Sequence, residues 1–145
     1  MSYEKSTEGI LVKVSPRYSL ADSAPAEGTF VFSYRISMAN EGEAAAQLLF
    51  RHWRIHDAAG HDSLVDGEGV VGEQPVLEPG GSHEYRSYCV LHSPAGYMEG
   101  HYTFARPGGE QFRVEVPRFH LNGPLVLRGG GSESSDEDEE PGLVH

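Results

Sequence analysis

The chain has 145 residues, with 11 Lys and Arg against 22 Asp and Glu, 38% hydrophobic residues and one cysteine. That length supports a single domain with a real core, and the formal charge of −11 argues against non-specific nucleic-acid binding and against docking on anionic membranes. The lone Cys89 excludes an internal disulfide and a four-cysteine zinc site. No apolar run approaches the roughly 20 residues of a membrane helix, and the opening MSYEKSTEG has no basic-then-apolar signal pattern. The expected setting is cytoplasmic.

Residues 1–7 are polar and read as a flexible N-terminus before a folded unit over residues 8–127. Ile10, Val12 and Val14 then alternate with polar neighbours, the period of a half-buried strand. The pattern is clearest over 29–39, where Phe30, Phe32, Tyr34, Ile36 and Met38 share one face and Ser33, Arg35 and Ser37 the other. Residues 41–49 have a helical composition, which Gly42 and the following apolar run oppose. Two further segments, 47–56 and 83–91, are apolar enough for strands without a clear facing, and Tyr102 with Phe104 marks another. Phe112, Val114 and Val116 close the series. Gly- and Pro-containing turns separate these runs, which predicts an all-β fold: an immunoglobulin- or fibronectin type III-like sandwich of about seven antiparallel strands. Trp53 fits the tryptophan that sandwiches bury between their sheets; an exposed Trp53 would instead anchor an interface beside Arg51 or Arg54.

Between the strands lie the segments with chemical potential. Gly67, Gly69 and Gly72 spell the G-x-G-x-x-G string of dinucleotide sites. That motif needs a helix start to hold the pyrophosphate, whereas Pro75 and Pro79 oppose a helix and Glu68 and Glu73 repel phosphate. A glycine-dependent bend or a partner-binding loop are the alternatives. His56 and His61 flank a candidate hairpin turn, Asp57 to Gly60, that would set them opposite each other, roughly 5 Å apart. Two imidazoles beside Asp57 and Asp62 suit a divalent transition metal; the alternative is two solvated histidines. His52 and His56, about 13 Å apart on one strand, are too distant to share an ion. Cys89 and His92 fall on opposite faces of a strand. Tyr97 and Met98 either cap the sandwich or face a partner. No catalytic constellation is present: the chain has no G-x-S-x-G, no H-E-x-x-H and no G-x-x-x-x-G-K.

Residues 128–145 read as a disordered acidic tail, because GGGSESSDEDEE over 129–140 holds six acids, no base and nothing to bury. Ser134 and Ser135 each precede an acid by three residues, the spacing of acid-directed phosphorylation. Removing the six acids from the 22 leaves 16 against 11 bases, so the remainder is only mildly acidic.

The segments FVFSYRISMANEG, QLLFRHWRIHDAAG, GEGVVGEQPVLEPG, GYMEGHYTF and FRVEVPRFHL, in this order over residues 8–121, resemble the ApaG (CorD) family. The resemblance implies a fibronectin type III-like sandwich, a stand-alone domain with no catalytic residues to carry over, and a link to cobalt and magnesium tolerance. Relatives in which the domain is fused to other modules imply a protein-binding role. Phe50, Tyr88-Cys89 and the acidic tail depart from the family's usual pattern. The expectation is therefore a non-enzymatic protein-interaction module with no resident cofactor. Its candidate surface is Gly67, Gly69, Gly72, Glu73, Pro75, Tyr97 and Met98. Two rivals remain: a small-ligand or divalent-metal-binding protein using His56 and His61, and a nucleotide-binding or dinucleoside-polyphosphate-hydrolysing protein. A protein partner is expected, and exposed sandwich edges make a homodimer plausible.

Overall fold

The computed structural model describes residues 2–124. The expected tail, 128–145, lies outside them. Nine strands form: β1 (Tyr3–Thr7), β2 (Ile10–Tyr18), β3 (Phe30–Asn40), β4 (Ala46–Asp57), β5 (His61–Glu68), β6 (Val76–Leu77), β7 (Ser82–Leu91), β8 (Ala95–Ala105) and β9 (Gln111–Asn122). A single 3-10 turn spans Pro25–Glu27. One antiparallel sheet runs β1-β2-β3-β7 and the other β5-β4-β8-β9, with β6 pairing the start of β4. The seven-strand sandwich expected from periodicity is present, with β1 and β6 added. No helix among the described residues is long and apolar enough to cross a membrane.

Residues Tyr3–Thr7 were expected to be loose and instead form β1, paired to Ile10–Val14. Composition missed them because an edge strand buries little. Its anchors are few: the Tyr3 ring lies 6.4 Å from Phe119, and the Thr7 hydroxyl accepts a hydrogen bond from Glu115 N–H. These contacts draw β1 against β9 and close one side of the sandwich. Pro16 stands two residues beyond Val14, the last β2 residue that β1 covers, where its missing N–H costs no pairing on that side.

The core follows period two wherever the ladder is regular. Ile10, Val12, Val14, Phe32, Tyr34, Ile36 and Met38 point inward from one sheet, and Leu48, Trp53, Ile55, Tyr102, Phe104 and Phe119 from the other. Trp53 is buried at the centre, with its ring 6.0 Å from Tyr34, 6.1 Å from Tyr102 and 5.9 Å from Phe119. Such edge-to-face pairs add about 0.5–1.5 kcal/mol each beyond burial. Beside them the Tyr85 and Tyr102 hydroxyls meet at 2.6 Å, joining β7 to β8 across the two sheets.

Two irregularities break the alternation, and the first accounts for the unclear facing of 47–56, whereas 83–91 pairs with β3 in regular register. The β4–β8 register skips Leu49, so alternation changes phase and Phe50 emerges 43% exposed while Trp53 turns inward. On β8 and β9 the register skips between Met98 and Gly100, leaving Glu99 opposite the Pro117-Arg118 pair. The missing N–H of Pro117 is tolerated in such a bulge.

The polar group that fixes this end of the sandwich is Asp57, 5% exposed at the end of β4. Its carboxylate accepts hydrogen bonds from Ser93 Oγ at 2.7 Å, His92 N–H at 2.7 Å and Ala59 N–H at 3.0 Å. Burial works to raise its pKa, and these donors outweigh it to leave the carboxyl below the usual range. Replacing Asp57 with Ala orphans these donors, with an expected loss of about 2–4 kcal/mol in urea unfolding. The sign with pH follows from the lowered value. The Asp57 contribution is complete above about pH 3.9 and is lost as pH falls through the folded pKa, so Asp57→Asn flattens that acid limb. Cys89 is buried in the same region, and burial first, with the Asp57 charge second, pushes its thiol up to about 12. Iodoacetamide at pH 8 is therefore expected to label Cys89 only after unfolding; rapid labelling of the native chain would contradict this.

Candidate functional site

The outer face of the β5-β4-β8-β9 sheet collects side chains that sequence spacing did not connect. Outward positions on β4 are His52, Arg54 and His56, at alternate residues. Pairing then sets Asp66, Leu64 and Asp62 of β5 beside them on one flank and His101, Glu99 and Tyr97 of β8 on the other. The result is a ladder of rows running across the strands.

In the first row Asp62 Oδ1 holds His56 Nδ1 at 2.7 Å, and the His56 ring stacks on Tyr97 at 4.8 Å. The Arg118 guanidinium covers the same Tyr97 ring at 3.9 Å, and His120 stands edge-on to it at 6.0 Å. In the second row Arg118 Nε donates to Glu99 at 2.9 Å, and Arg54 bridges Glu99 at 3.6 Å and Asp62 at 2.8 Å. The β9 bulge at Pro117-Arg118 brings Arg118 to Glu99, which thereby stands between these two arginines. In the third row Asp66 holds His52 Nδ1 at 2.6 Å, and His52 stacks on His101 at 4.9 Å with Glu115 opposite. Hydrogen bonds from His56, and after it Arg54, hold Asp62 below the usual carboxylate range. Burial first, then Arg113 and His52, holds His101 below the ordinary imidazole value. A groove of about 360 Å³ opens along the bulge, lined by Lys5, His52, Arg54, Glu99, His101 and Arg118 among others. Its floor needs Gly100, because a Cβ there would run into the His52 carbonyl oxygen.

The structure separates the residues singled out in sequence. His56 and His61 do not face each other. The connection is three residues, Ala58-Ala59-Gly60, closed by Gly60 N–H on the Asp57 carbonyl, with Gly60 at φ 110°. His56 therefore pairs with Asp62, and His61 with Asp57. That one-residue difference places the two imidazoles on opposite faces of the sheet, and the metal pair expected of them is not formed. Among the described residues no cluster of three His, Cys, Asp or Glu has metal-holding geometry.

The candidate surface also divides. Met98 is fully buried in the core, pointing inward as Tyr97 points outward, so it is not a surface residue. Gly67 lies in β5, where the Arg51 guanidinium packs over it and donates to the Glu68 and Gly69 carbonyls. Gly69 sits at φ 65° against the Glu73 carbonyl, and Val71-Gly72 turn the chain with φ 47° and 78° between paired Val70 and Glu73. These are the dihedral signs of a type I′ turn, not of a phosphate loop leading into a helix. Pro75 offers its carbonyl to Leu48 N–H, and Glu73 is exposed. Gly67 is paired with Arg51 and Tyr97 with His56, roughly 17 Å apart along β4, and the Val70–Glu73 turn lies beyond Gly67. The histidine ladder between them was foreshadowed only by the alternation His52-Arg54-His56 and Asp62-Leu64-Asp66.

Fold and face together define a β-sandwich domain whose built surface is a polar ladder on one sheet. Comparison with known proteins places it further. The ApaG domain family model (DUF525) matches residues 20–106. Protein ApaG of Methylorubrum extorquens (strain PA1) is 46% identical over 126 residues, covering 87% of this chain and 97% of that protein. Protein ApaG of Maricaulis maris is 44% identical, covering 84% and 94%. Among solved structures, an ApaA protein from Bordetella pertussis is similar at 39% identity and a TM-score of 0.76, covering 83% of this chain and 95% of that one. The chain belongs to the ApaG family.

Because His101 is held below its ordinary value, the unfolded chain takes up a proton first as acidity rises. His101 therefore removes stability as pH falls below about 6.5. In an NMR titration its midpoint is expected below that value, and Arg113→Gln should move it upward; an unmoved midpoint would exclude Arg113 as a cause.

Proposed function

We propose that this ApaG-domain protein is a non-enzymatic interaction module that recognises another protein through the outer face of β5-β4-β8-β9. The observation that supports this reading most is the interlocked row of His56, Tyr97, Arg118, Glu99 and Arg54. Aromatic and arginine side chains dominate binding energy at protein interfaces when they are held rigid and then desolvated. Here stacking, cation–π contact and ion pairing hold them before any partner arrives, which reduces the side-chain entropy lost on association. Exposed ion pairs add little to stability, so fold stability alone gives weak reason for building this ladder.

The rival readings have less support. A nucleotide site at the glycine string would need a helix start, and the segment is a tight turn between strands. A metal site at His56 and His61 would need the opposed register that the hairpin does not adopt. An enzymatic role by a cysteine nucleophile has less support, because the buried Cys89 thiol is held protonated, and the His56 and His52 rings held by Asp62 and Asp66 are stacked on Tyr97 and His101. The connection with divalent-cation tolerance would then act through the protein partner and not through a bound ion.

The test is affinity capture from native lysate with the full chain and two variants, Tyr97→Ser and Arg118→Glu. A partner retained by the parent is expected to be lost by both, while thermal unfolding confirms that they remain folded. Undiminished capture by two folded variants would remove this face from the interaction.

A further inference from the structure

The two edges of the β5-β4-β8-β9 sheet are finished differently. At the β9 edge, β1 packs alongside through Tyr3 and Thr7, and Pro117 in the bulge interrupts the row of backbone donors. β5, at the other edge, has none of these devices. It pairs with β4 in unbroken register from Asp57–His61 to Phe50–Glu68, and it contains no proline and no lysine. Among the described residues no further strand pairs with it. Gly69 N–H donates to the Leu49 carbonyl at 2.8 Å, so by alternation Ser63, Val65 and Gly67 direct their backbone groups to β4. The N–H and C=O of Asp62, Leu64 and Asp66 therefore point out along the open edge. Arg51 Nη1 donates to the Glu68 and Gly69 carbonyls at 2.9 and 3.0 Å and closes the row beyond Asp66.

The side chains along this window set what fits it. The outer face presents Asp62, Leu64, Asp66 and Glu68, with Leu64 67% exposed. Asp62 is matched by Arg54, whereas Asp66 is paired with the His52 imidazole and Glu68 has no ion pair among the described residues. We propose that the β5 edge receives an extended segment of a partner protein as an added antiparallel strand, with basic side chains opposite Glu68 and Asp66 and an apolar one opposite Leu64. Main-chain hydrogen bonds supply the attraction in such strand addition, and alternate side chains supply the selection. The same acids disfavour a second copy of this chain. With Leu64 on a twofold axis, Asp62 would face Asp66, and with the axis moved to Val65, Asp62 would face Glu68; like charges directly opposite are destabilising. Intervening side chains of the segment would lie opposite Ser63, Val65 and Gly67, where small or β-branched groups fit. The added strand would extend the sheet whose outer face is the proposed partner surface, and its role rests on that reading.

The experiment titrates the isotope-labelled full chain with a seven-residue amidated peptide carrying lysine first and third, leucine fifth, threonine last and valine between, and reads amide solvent exchange by NMR. The Asp62, Leu64 and Asp66 amides are expected to exchange about tenfold more slowly at saturation, the signature of new backbone hydrogen bonds. A peptide with glutamate in place of lysine should leave them unchanged. Leu64→Pro removes an N–H that the β4–β5 ladder does not use, so the fold is expected to persist while the peptide binds about tenfold more weakly. Glu68→Lys, at an exposed position, should weaken binding through charge alone. Unchanged exchange at the three amides, equal slowing by the glutamate peptide, or undiminished affinity in both folded variants would overturn the proposal. Lysate capture separates it from the reading of the outer face. Loss in Tyr97→Ser and Arg118→Glu with retention in folded Leu64→Pro would overturn strand addition alone, whereas the reverse pattern would remove the outer face and keep the edge.

Discussion

The carboxylate of Asp57 occupies the corner where β4, its turn into β5 and the connection from β7 to β8 meet. Three donors converge on it from two different segments, and one of them, Ala59 N–H, belongs to the turn itself. Fixing that turn at three residues fixes the register of β5 on β4, and with it the partner of every outward side chain on the sheet. Asp62 then meets His56, and Asp66 meets His52. A slip of one residue would exchange outward and inward faces along all of β5, taking both aspartates away from their histidines. The ladder is thus a consequence of a buried hydrogen-bonded corner and not of attraction among the exposed charges.

A second constraint acts where backbones approach most closely. Gly96 and Gly100 lie against the His56 and His52 carbonyl oxygens, with no room for a Cβ at either. These glycines let β8 run tight against β4, so that Tyr97 reaches stacking distance of His56 and His101 reaches His52. Opposite Glu99 the β9 bulge at Pro117-Arg118 changes the phase of pairing and brings Arg118 over Tyr97. Regular pairing throughout would have given an ordinary alternating face without the groove or the shared carboxylate. The opposite sheet is regular from Ile10 to Tyr18 against β3, and there the outward residues keep simple rows with arginines and serines side by side. One sandwich therefore presents two unlike surfaces, one interlocked across rows by the bulge and one built of regular rows.

Much of the fold was legible from residue order. Phe30, Phe32, Tyr34, Ile36 and Met38 announce a strand with one buried face, and all but Phe30 are buried in the core. Trp53 reads as the tryptophan between sheets and is found there. The site was much less legible. Tyr97 and Met98 are adjacent and both large and apolar, and only strand direction separates the surface residue from the core residue. The glycine string was conspicuous in sequence, yet its glycines serve a turn and the packing of Arg51. The residues that build the surface, His52, Arg54, Glu99, His101 and Arg118, are scattered over three strands and have no motif. Their proximity depends on two bulges and one turn length, none of which leaves a clear signature in a single sequence.

The sequence by itself determined the class of fold, the family and the separation of a mildly acidic body from an acidic C-terminal run. The fold class follows from period-two burial and the charge separation from composition, which are properties of each segment alone, and the family from the resemblance of the ordered segments. Tertiary structure decided which outward side chains became neighbours, that Tyr3–Thr7 belong to the sandwich, and that the histidines pair with carboxylates and aromatic rings instead of with His61. Such facts depend on register, and register is set by contacts between segments: the buried corner at Asp57, the close approach at Gly96 and Gly100, and the packing of β1 on β9. The headline charge changes meaning accordingly. It is a sum over an acidic C-terminal run and a mildly acidic body, and the folded sheets show which charges of that body become neighbours.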